Sequence, residues 1–160
     1  MNITIVNADK SHSKYIWEWR NDPVTRSFSR NKEEVKWNEH KEWFKKSLKD
    51  PKKFLYVGIS IEPNKIPIGI ISFELINTKK NYYEVSINIS PFMRGKGLGH
   101  SLLKYGTKSF NCEVKKCNRI YAEVKTDNIP SINLFNSAGY RYTPNGTTHE
   151  KFIKYFLDCN

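Results

Sequence analysis

Glycine stands at every second position of the segment Gly95-Lys96-Gly97-Leu98-Gly99, which follows an apolar run ending at Ile89 and precedes a helical apolar pattern. Glycines allow several backbone N–H groups to converge without clashes from Cβ atoms. The free N–H groups and the dipole at a helix amino terminus favour a bound anion, and Arg94 and Lys96 add positive charge. The segment therefore predicts a cradle for a pyrophosphate group. Its spacing is not that of a P-loop, and His100 stands where the dinucleotide motif Gly-x-Gly-x-x-Gly requires glycine.

A second segment with a distinctive order of residues follows the strand-like run from Arg119 to Val124. Asn128 is followed by Ser131, and a Leu134-Phe135 pair is followed by Gly139-Tyr140. Together with the glycine-rich segment, this order resembles the GNAT superfamily of acetyl-CoA-dependent N-acetyltransferases. That family has Gln/Arg-x-x-Gly-x-Gly/Ala at its pyrophosphate loop and, downstream, Asn-x-x-Ser/Ala and Leu-Tyr/Phe-x-x-x-Gly-Phe/Tyr. The resemblance covers most of the chain.

The resemblance implies a binding site for acetyl-CoA and no metal. Backbone N–H groups of the glycine-rich segment would hold the pyrophosphate. Backbone groups of the preceding strand and an asparagine side chain would meet the pantetheine arm. The residues implied are Ile87, Ile89, Arg94, Gly95, Lys96, Gly97, Leu98, Gly99, Asn128 and Phe135. By its residue type alone, Asn128 is equally suited to the start of a helix or to a turn.

The amino-terminal third is similar to one subgroup of the GNAT superfamily. The segments Trp19-Arg20-Asn21-Asp22-Pro23 and His40-Lys41-Glu42-Trp43-Phe44 match its pattern W-R-N-x-P followed by H-x-x-W/F-F. The subgroup includes enzymes that acetylate UDP-4-amino sugars in pseudaminic acid synthesis and relatives of ribosomal-protein N-terminal acetyltransferases. The former resemblance is the closer, and a peptide amino terminus is the alternative acceptor.

The closer resemblance implies that Arg20 and His40 contact the nucleotide of a UDP-linked amino sugar. It also implies that Trp43 forms an aromatic wall. These residue types suit a diphosphate and a planar base. By residue type alone, core packing would explain the tryptophans, and His40 on a polar helix would be exposed. Glu74, on a central strand, is a candidate general base and is expected at the acceptor site.

Acetyl transfer requires a neutral amine, stabilisation of the tetrahedral oxyanion and a proton for the departing thiolate. Many relatives carry a strand glutamate at the position of Glu84, which is therefore expected to act as the base through water; an ion pair with a cross-strand lysine is the alternative. Ser72 is a looser match to a serine of the sugar-nucleotide subgroup. Many family members have a tyrosine acid where this chain has Phe135, which cannot donate a proton. Tyr140 or another nearby tyrosine is expected to replace it, with solvent as the alternative donor.

Apolar periodicity predicts the elements that must position these residues. Strands are expected at 3–6, 54–61, 66–77, 82–89, 119–124 and 151–157, with a short strand at 140–143. Helices are expected around 15–21, from Asn31 (capped through Glu34) to about residue 50, at 98–110 and at 130–139. The order β-α-α-β-β-β-α-β-α-β predicts a mixed α/β fold, with a mostly antiparallel central sheet flanked by helices, which agrees with the GNAT fold.

Size and composition limit the class of protein. The chain has 160 residues, of which 38% are hydrophobic and 14% aromatic, which suits one domain over residues 1–160 and excludes a disordered chain. No apolar run approaches the roughly 18 residues of a membrane span, and the amino terminus lacks the pattern of a signal peptide. Cys112, Cys117 and Cys159 have the spacing of neither a disulfide framework nor a zinc site. A cytoplasmic protein with ordinary reduced thiols is therefore expected.

The formal net charge of +11 suits an anionic partner, such as a polyphosphorylated small molecule. The basic residues are scattered, and they form no basic stripe with interleaved aromatics, which disfavours nucleic acid as the partner. A nucleic-acid-binding module and a family member that binds the coenzyme without catalysis remain the competing hypotheses. Homodimers are common among the relatives, so a homodimer is an expectation from the resemblance alone.

Overall fold

Seven strands form one sheet in the computed structural model, which describes residues 2–62, 64–143 and 152–159. They are β1 (Ile3–Asn7), β2 (Lys53–Ser60), β3 (Pro67–Asn77), β4 (Tyr82–Ile89), β5 (Arg119–Lys125), β6 (Arg141–Tyr142) and β7 (Phe152–Asp158). Their spatial order is β1-β2-β3-β4-β5-β7-β6. Neighbouring strands are antiparallel except for β4 and β5, which run parallel.

Helices cover the sheet. They are α1 (Ser13–Asn21), α2 (Pro23–Phe28), α3 (Trp37–Ser47), α4 (Leu98–Glu113) and α5 (Ile129–Ser137). The side chains of β2 alternate between two apolar clusters: Tyr56 packs in the cluster that contains α4 and α5, whereas Leu55 and Val57 pack with α1 and α3. None of the helices in the described residues is long and apolar enough to cross a membrane.

The predicted mixed α/β class with a mostly antiparallel sheet is confirmed, and most strand bounds agree within two residues. The turn expected at 62–65 includes Pro63, and the last strand was expected to begin at Lys151; both residues lie outside the described ranges. The last strand runs over Phe152–Asp158 where it is described.

The start of the second expected helix is wrong. The sequence placed it at Asn31, but α3 begins at Trp37. The Asn31 side chain accepts a hydrogen bond from the Glu33 N–H at 2.9 Å, which is a turn that competes with helix formation. The side chain of Asn21 also forms two hydrogen bonds with the backbone of Val35. Its Oδ1 accepts from the Val35 N–H at 2.8 Å, and its Nδ2 donates to the Val35 carbonyl at 2.9 Å. The segment between α2 and α3 is therefore a loop fastened to α1.

A short helix that the periodicity did not reveal follows α1. The side chain of Asp22 accepts a hydrogen bond from the Thr25 N–H at 2.9 Å, and Pro23 occupies the first turn, so α2 begins with a good cap. Helix α2 is only six residues long, which is too short for an apolar period to be recognised.

The sheet splits between β4 and β5. The two strands pair only where Tyr82–Glu84 lies beside Arg119–Tyr121, although β4 continues to Ile89 and β5 to Lys125. The N–H of Ser90 donates to the carbonyl of Ile68 on the β3 side at 2.9 Å. Because backbone groups alternate along an extended strand, those of Ile87 and Ile89 point the other way, into the gap. The gap therefore presents unpaired strand backbone to whatever occupies it.

Candidate active site

A cleft of about 960 Å³ occupies the gap between β4 and β5. It is bounded by the carboxyl-terminal half of β4, the end of β5, the loop before α4, one side of α5, and a wall formed by α2 and the loop after it. Clefts of 300–1,000 Å³ are typical of sites for small molecules and cofactors. The cleft brings together both segments that the sequence analysis singled out.

The glycine-rich loop forms one end of the cleft. Gly95 and Gly97 have φ values of +75° and +73°, and a Cβ atom at either position would meet nothing within 4 Å. Glycine is therefore required there by backbone conformation rather than by lack of space. Gly97 caps α4 without any side-chain hydrogen bond, so the first N–H groups of the helix are free for an anion. This geometry fits the pyrophosphate of the expected coenzyme.

The two cationic side chains of this loop, Arg94 and Lys96, are placed differently with respect to the cleft. The side chain of Lys96 lies outside the cleft and contacts the sulfur of Met93 at 3.6 Å. Arg94 lines the cleft, but its Nη1 pairs with Asp22 Oδ2 at 2.8 Å and its Nη2 donates to Thr25 Oγ1 at 2.7 Å. Burial opposes the ionisation of Asp22, yet the hydrogen bonds from Thr25 and Arg94 outweigh it and lower the pKa of that carboxyl. Arg94 therefore braces the loop against α2, and the expectation that its charge is free for phosphate needs correction.

Asn128 and Phe135 line the opposite wall of the cleft, as expected. Asn128 is also the cap of α5, because its Oδ1 accepts a hydrogen bond from the Ser131 N–H at 3.3 Å. The position of Asn128 is thus compatible both with a contact to the pantetheine arm and with the start of a helix. The buried ring of Phe135 packs edge-on against Tyr140 at 5.0 Å.

The placement of Tyr140 argues against its expected role as the acid. Tyr140 is buried and is not among the residues that line the cleft. Its hydroxyl has no hydrogen-bond partner among the described residues. Burial, and after it the nearby Cys159 and Cys117, raise the pKa of Tyr140, so the phenol holds its proton more tightly.

Two carboxylates meet one arginine where β4 and β5 separate. Glu84 is the last residue of β4 that pairs with β5, and Glu123 lies two positions beyond its partner Tyr121. Arg30 Nη2 donates to Glu84 Oε1 at 2.9 Å and also to Glu123 Oε2. The side chain of Glu84 is 26% exposed and that of Glu123 only 7%. Glu84 is therefore the more accessible of two carboxylates that face the cleft.

The other two polar residues expected on the central strands lie farther along the sheet. Ser72 pairs with Ser86 and Glu74 pairs with Glu84 across β3 and β4. Neither Ser72 nor Glu74 lines the cleft, and the exposed Glu74 forms an ion pair with Lys53 at 3.4 Å. The expected catalytic part of Ser72 and the acceptor contact of Glu74 thus have no support in this arrangement.

Only one of the three residues expected at the nucleotide reaches the cleft. Arg20 lines it, and its Nη2 donates to the Asn31 carbonyl at 2.7 Å. Its Nη1 is buried and has no hydrogen-bond partner among the described residues. Burial, and secondarily the charge of Arg26, lower the pKa of Arg20. A buried donor without a partner is costly, so Arg20 is suited to bind an anion.

His40 and Trp43 lie away from the cleft. His40 was expected to be either exposed or in contact with the nucleotide, but only 2% of it is exposed. Its Nε2 donates to the Ser13 carbonyl at 2.9 Å, and its ring stacks on Phe44 at 5.6 Å, which ties α3 to α1. Burial lowers the pKa of His40. Trp43 is 47% exposed and leans on His40 at 5.6 Å.

Several residues of the cleft were assigned no role from the sequence. Thr25, Arg30, Glu123 and Lys125 all line it. Glu123 lies on the same face of β5 as Tyr121, because side chains alternate along a strand. Since Tyr121 pairs with Glu84, this places Glu123 near Glu84, but the pairing of β4 with β5 could not be known from the sequence. Arg30 comes from the loop after α2, where no periodic pattern exists. Within the described residues, no group of three or more His, Cys, Asp or Glu side chains could hold a metal ion.

Comparison with known proteins gives a consistent result. The model of the acetyltransferase (GNAT) family matches residues 13–140. An uncharacterized protein of Methanocaldococcus jannaschii is 29% identical over 152 residues, which are 92% of this chain but only 30% of that protein. The chain thus spans less than a third of the length of this curated relative.

Solved structures share the fold at low sequence identity. A domain from Methanocaldococcus jannaschii has a TM-score of 0.83 at 23% identity, with 99% of each chain covered. The spermidine N-acetyltransferase of Vibrio cholerae, solved with CoA and spermine, has a TM-score of 0.83 at 18% identity, with 98% of this chain and 95% of that chain covered. Because the family model spans most of the sequence and the split sheet carries a glycine-rich helix start, this chain belongs to the acetyltransferase (GNAT) family, whose enzymes are acetyl-CoA-dependent N-acetyltransferases.

Proposed function

We propose that this chain acetylates the primary amine of a small anionic acceptor, and that the acceptor is a nucleotide-linked amino sugar. The observation that carries the proposal is made on Arg20, which lines the same cleft as Glu84 and whose buried Nη1 lacks a partner among the described residues. A phosphate group would supply the missing acceptor for that donor. The amine of the same molecule would then lie toward Glu84 and Glu123, where β4 and β5 separate.

The charge balance of the cleft supports an anionic acceptor. Arg30, Arg94 and Lys125 line it but are paired with carboxylates, Arg30 with Glu84 and Glu123, Arg94 with Asp22 and Lys125 with Asp127. Arg20 also lines it and has no ion-pair partner among the described residues. A polyamine would bring several positive charges close to this unpaired guanidinium. A sugar nucleotide instead brings two phosphate charges and a single amine.

Acetyl-CoA supplies the activated acetyl thioester. The backbone of Gly95 to Gly99 and the start of α4 would hold its pyrophosphate, and the unpaired backbone of Ile87 and Ile89 would hold its pantetheine arm. These groups provide hydrogen bonds without any net charge of their own, and the dipole of α4 favours the anion. The thioester would then lie near the point where the strands separate.

The chain's own contribution to chemistry centres on Glu84. One of its oxygens accepts a hydrogen bond from Arg30, and the other can accept the proton of the attacking amine directly or through water. The amine nitrogen forms a bond to the acetyl carbon as the carbon–sulfur bond breaks. Since neither Phe135 nor Tyr140 is placed to donate, the departing thiolate takes its proton from solvent.

A panel of acceptors tests the proposal. Release of free thiol from acetyl-CoA is measured with UDP- and dTDP-linked amino sugars, peptides with free amino termini, polyamines and aminoglycosides. We expect turnover with a nucleotide-linked amino sugar at a kcat/KM at least tenfold above that of any other class. Turnover on peptides or polyamines alone would replace the proposed acceptor, and thiol release with none of them would leave coenzyme binding without transfer.

Replacement of Arg20 by Met is expected to lower kcat/KM for the nucleotide-linked acceptor by about 10- to 100-fold, as for loss of a charge-assisted hydrogen bond. The KM of acetyl-CoA should not change. Arg141→Met is a matched control, because Arg141 is exposed, pairs with Asp158 at 2.5 Å and lies outside the cleft. An equal loss with a simple uncharged amine would show that Arg20 acts through the fold and not through the anion.

Replacement of His40 by Ala is expected to destabilise the fold by roughly 2–3 kcal/mol, because it removes a buried ring and leaves the Ser13 carbonyl without its donor. Urea denaturation followed by circular dichroism measures the change. The KM of the acceptor should stay the same in the variant. If the variant has a higher KM for the acceptor and unchanged stability, the result would support the nucleotide contact that the resemblance implied for His40.

A further inference from the structure

Two cysteines that lie far apart in the sequence meet at one end of the sheet. Cys117 lies two residues before the start of β5 and Cys159 immediately follows β7, and their sulfur atoms are 2.6 Å apart. The backbone supports this approach, since Arg119 pairs with Asp158 across β5 and β7 and the N–H of Cys159 donates to the Asn118 carbonyl at 3.0 Å. The two thiols are therefore held together by the antiparallel ladder and not by chance contact of flexible side chains.

We propose that Cys117 and Cys159 form a reversible intramolecular disulfide when the protein meets a low-molecular-weight disulfide oxidant such as oxidised glutathione. The thiolate of one cysteine attacks a sulfur of the oxidant, forms a mixed disulfide and releases one glutathione thiolate. The second cysteine then attacks the protein sulfur of that mixed disulfide and releases the other glutathione. The two protein thiols lose two electrons and two protons, which the two glutathione molecules carry away.

The surroundings of the two sulfurs suit this exchange. Both cysteines are partly exposed, so an oxidant can reach them, and their sulfur atoms are already 2.6 Å apart. The hydrogen bond between the sulfurs lowers the pKa of Cys159, while that bond and burial raise the pKa of Cys117. Whichever cysteine attacks the oxidant first, the other lies close enough to attack the resulting mixed disulfide.

The bond would close a large loop around half of the cleft. The segment from Cys117 to Cys159 includes β5, Asn128 and α5, which together form one wall of the site. Cross-linking such a loop restricts the unfolded chain more than the folded one. The oxidised protein is therefore expected to unfold at a temperature roughly 5–10 °C above that of the reduced protein.

The experiment uses the full chain, first reduced and then treated with oxidised glutathione, with free thiols blocked by iodoacetamide before tryptic mass spectrometry. We expect a cross-linked peptide pair that contains Cys117 and Cys159, while Cys112 is alkylated or carries glutathione. Dithiothreitol should reverse the cross-link and return the melting temperature to that of the reduced protein. This assignment needs no variant and so does not depend on the folding of one.

Matched variants sharpen the result. Cys112→Ser removes the exposed third cysteine and should retain the cross-link, whereas Cys117→Ser and Cys159→Ser should each leave a single glutathione adduct on the remaining partner. Full alkylation of both Cys117 and Cys159 after oxidation would overturn the proposal. Cross-links that involve only Cys112, within or between chains, would overturn it as well.

Discussion

Replacing Glu84 by Gln is expected to lower kcat by about 100-fold at neutral pH, the usual order for loss of a general base. Glu84 lies where β4 and β5 separate, is partly exposed to the cleft and has an oxygen that Arg30 does not use. The amide of Gln keeps the shape of the side chain but cannot take a proton from the attacking amine. The KM of acetyl-CoA should stay within about twofold, since the base acts on the other substrate.

Steady-state rates of thiol release, with either substrate varied, measure this effect. Glu74→Gln is the matched control, because Glu74 lies directly across from Glu84 on β3 but is exposed, pairs with Lys53 and lies outside the cleft. It should keep the wild-type rate. An unchanged kcat in Glu84→Gln would remove Glu84 as the base, and an equal loss in both variants would point to a general effect of charge on the sheet.

Replacing Gly97 by Val is expected to raise the KM of acetyl-CoA at least tenfold. A β-branched residue at a φ of +73° costs roughly 1–2 kcal/mol or more, and relief of that strain rotates the N–H groups that begin α4. A Cβ atom at this position meets no neighbour within 4 Å, so the effect is one of backbone conformation rather than of packing. Dissociation constants for CoA from calorimetry measure it directly.

Gly139→Val separates binding from stability. Gly139 has a φ of +82°, and a Cβ atom there also meets nothing within 4 Å, but the residue lies outside the cleft. Both substitutions should lower the melting temperature by similar amounts, but only Gly97→Val should lower the affinity for the coenzyme. If the affinity falls equally in both, the loss comes from general destabilisation and the loop has no special part in binding.

The half of the cleft that we propose for the coenzyme could be predicted because its geometry rests on local backbone rules. A left-handed φ requires glycine, a helix start requires a cap, and strand alternation sets which residues share a face. Gly95, Gly97 and Asn128 show these rules in the sequence, and each lines the cleft in the structure. The mostly antiparallel sheet was predictable for the same reason, since β2 to β4 are joined by short turns.

The acceptor half was less predictable because it depends on contacts between distant segments. His40 has the surroundings of a polar helix in the sequence, yet the packing of α3 on α1 buries it. Arg30 lies in a loop without any pattern, and its pairing with Glu84 and Glu123 spans 54 and 93 positions. The meeting of Cys117 and Cys159 likewise follows only from the order β5-β7-β6, which no spacing of cysteines reveals.

A coenzyme bound in the split between β4 and β5, as proposed, would be a structural component of the sheet as well as a reactant. Without an occupant, the protein carries two strand edges in its interior, and free edges promote pairing with other chains. A ligand that binds only the folded state adds stability in proportion to the logarithm of its concentration, about 2.7 kcal/mol at a hundredfold excess over Kd. If acetyl-CoA binds there as proposed, its supply would thus add to the stability of the folded chain.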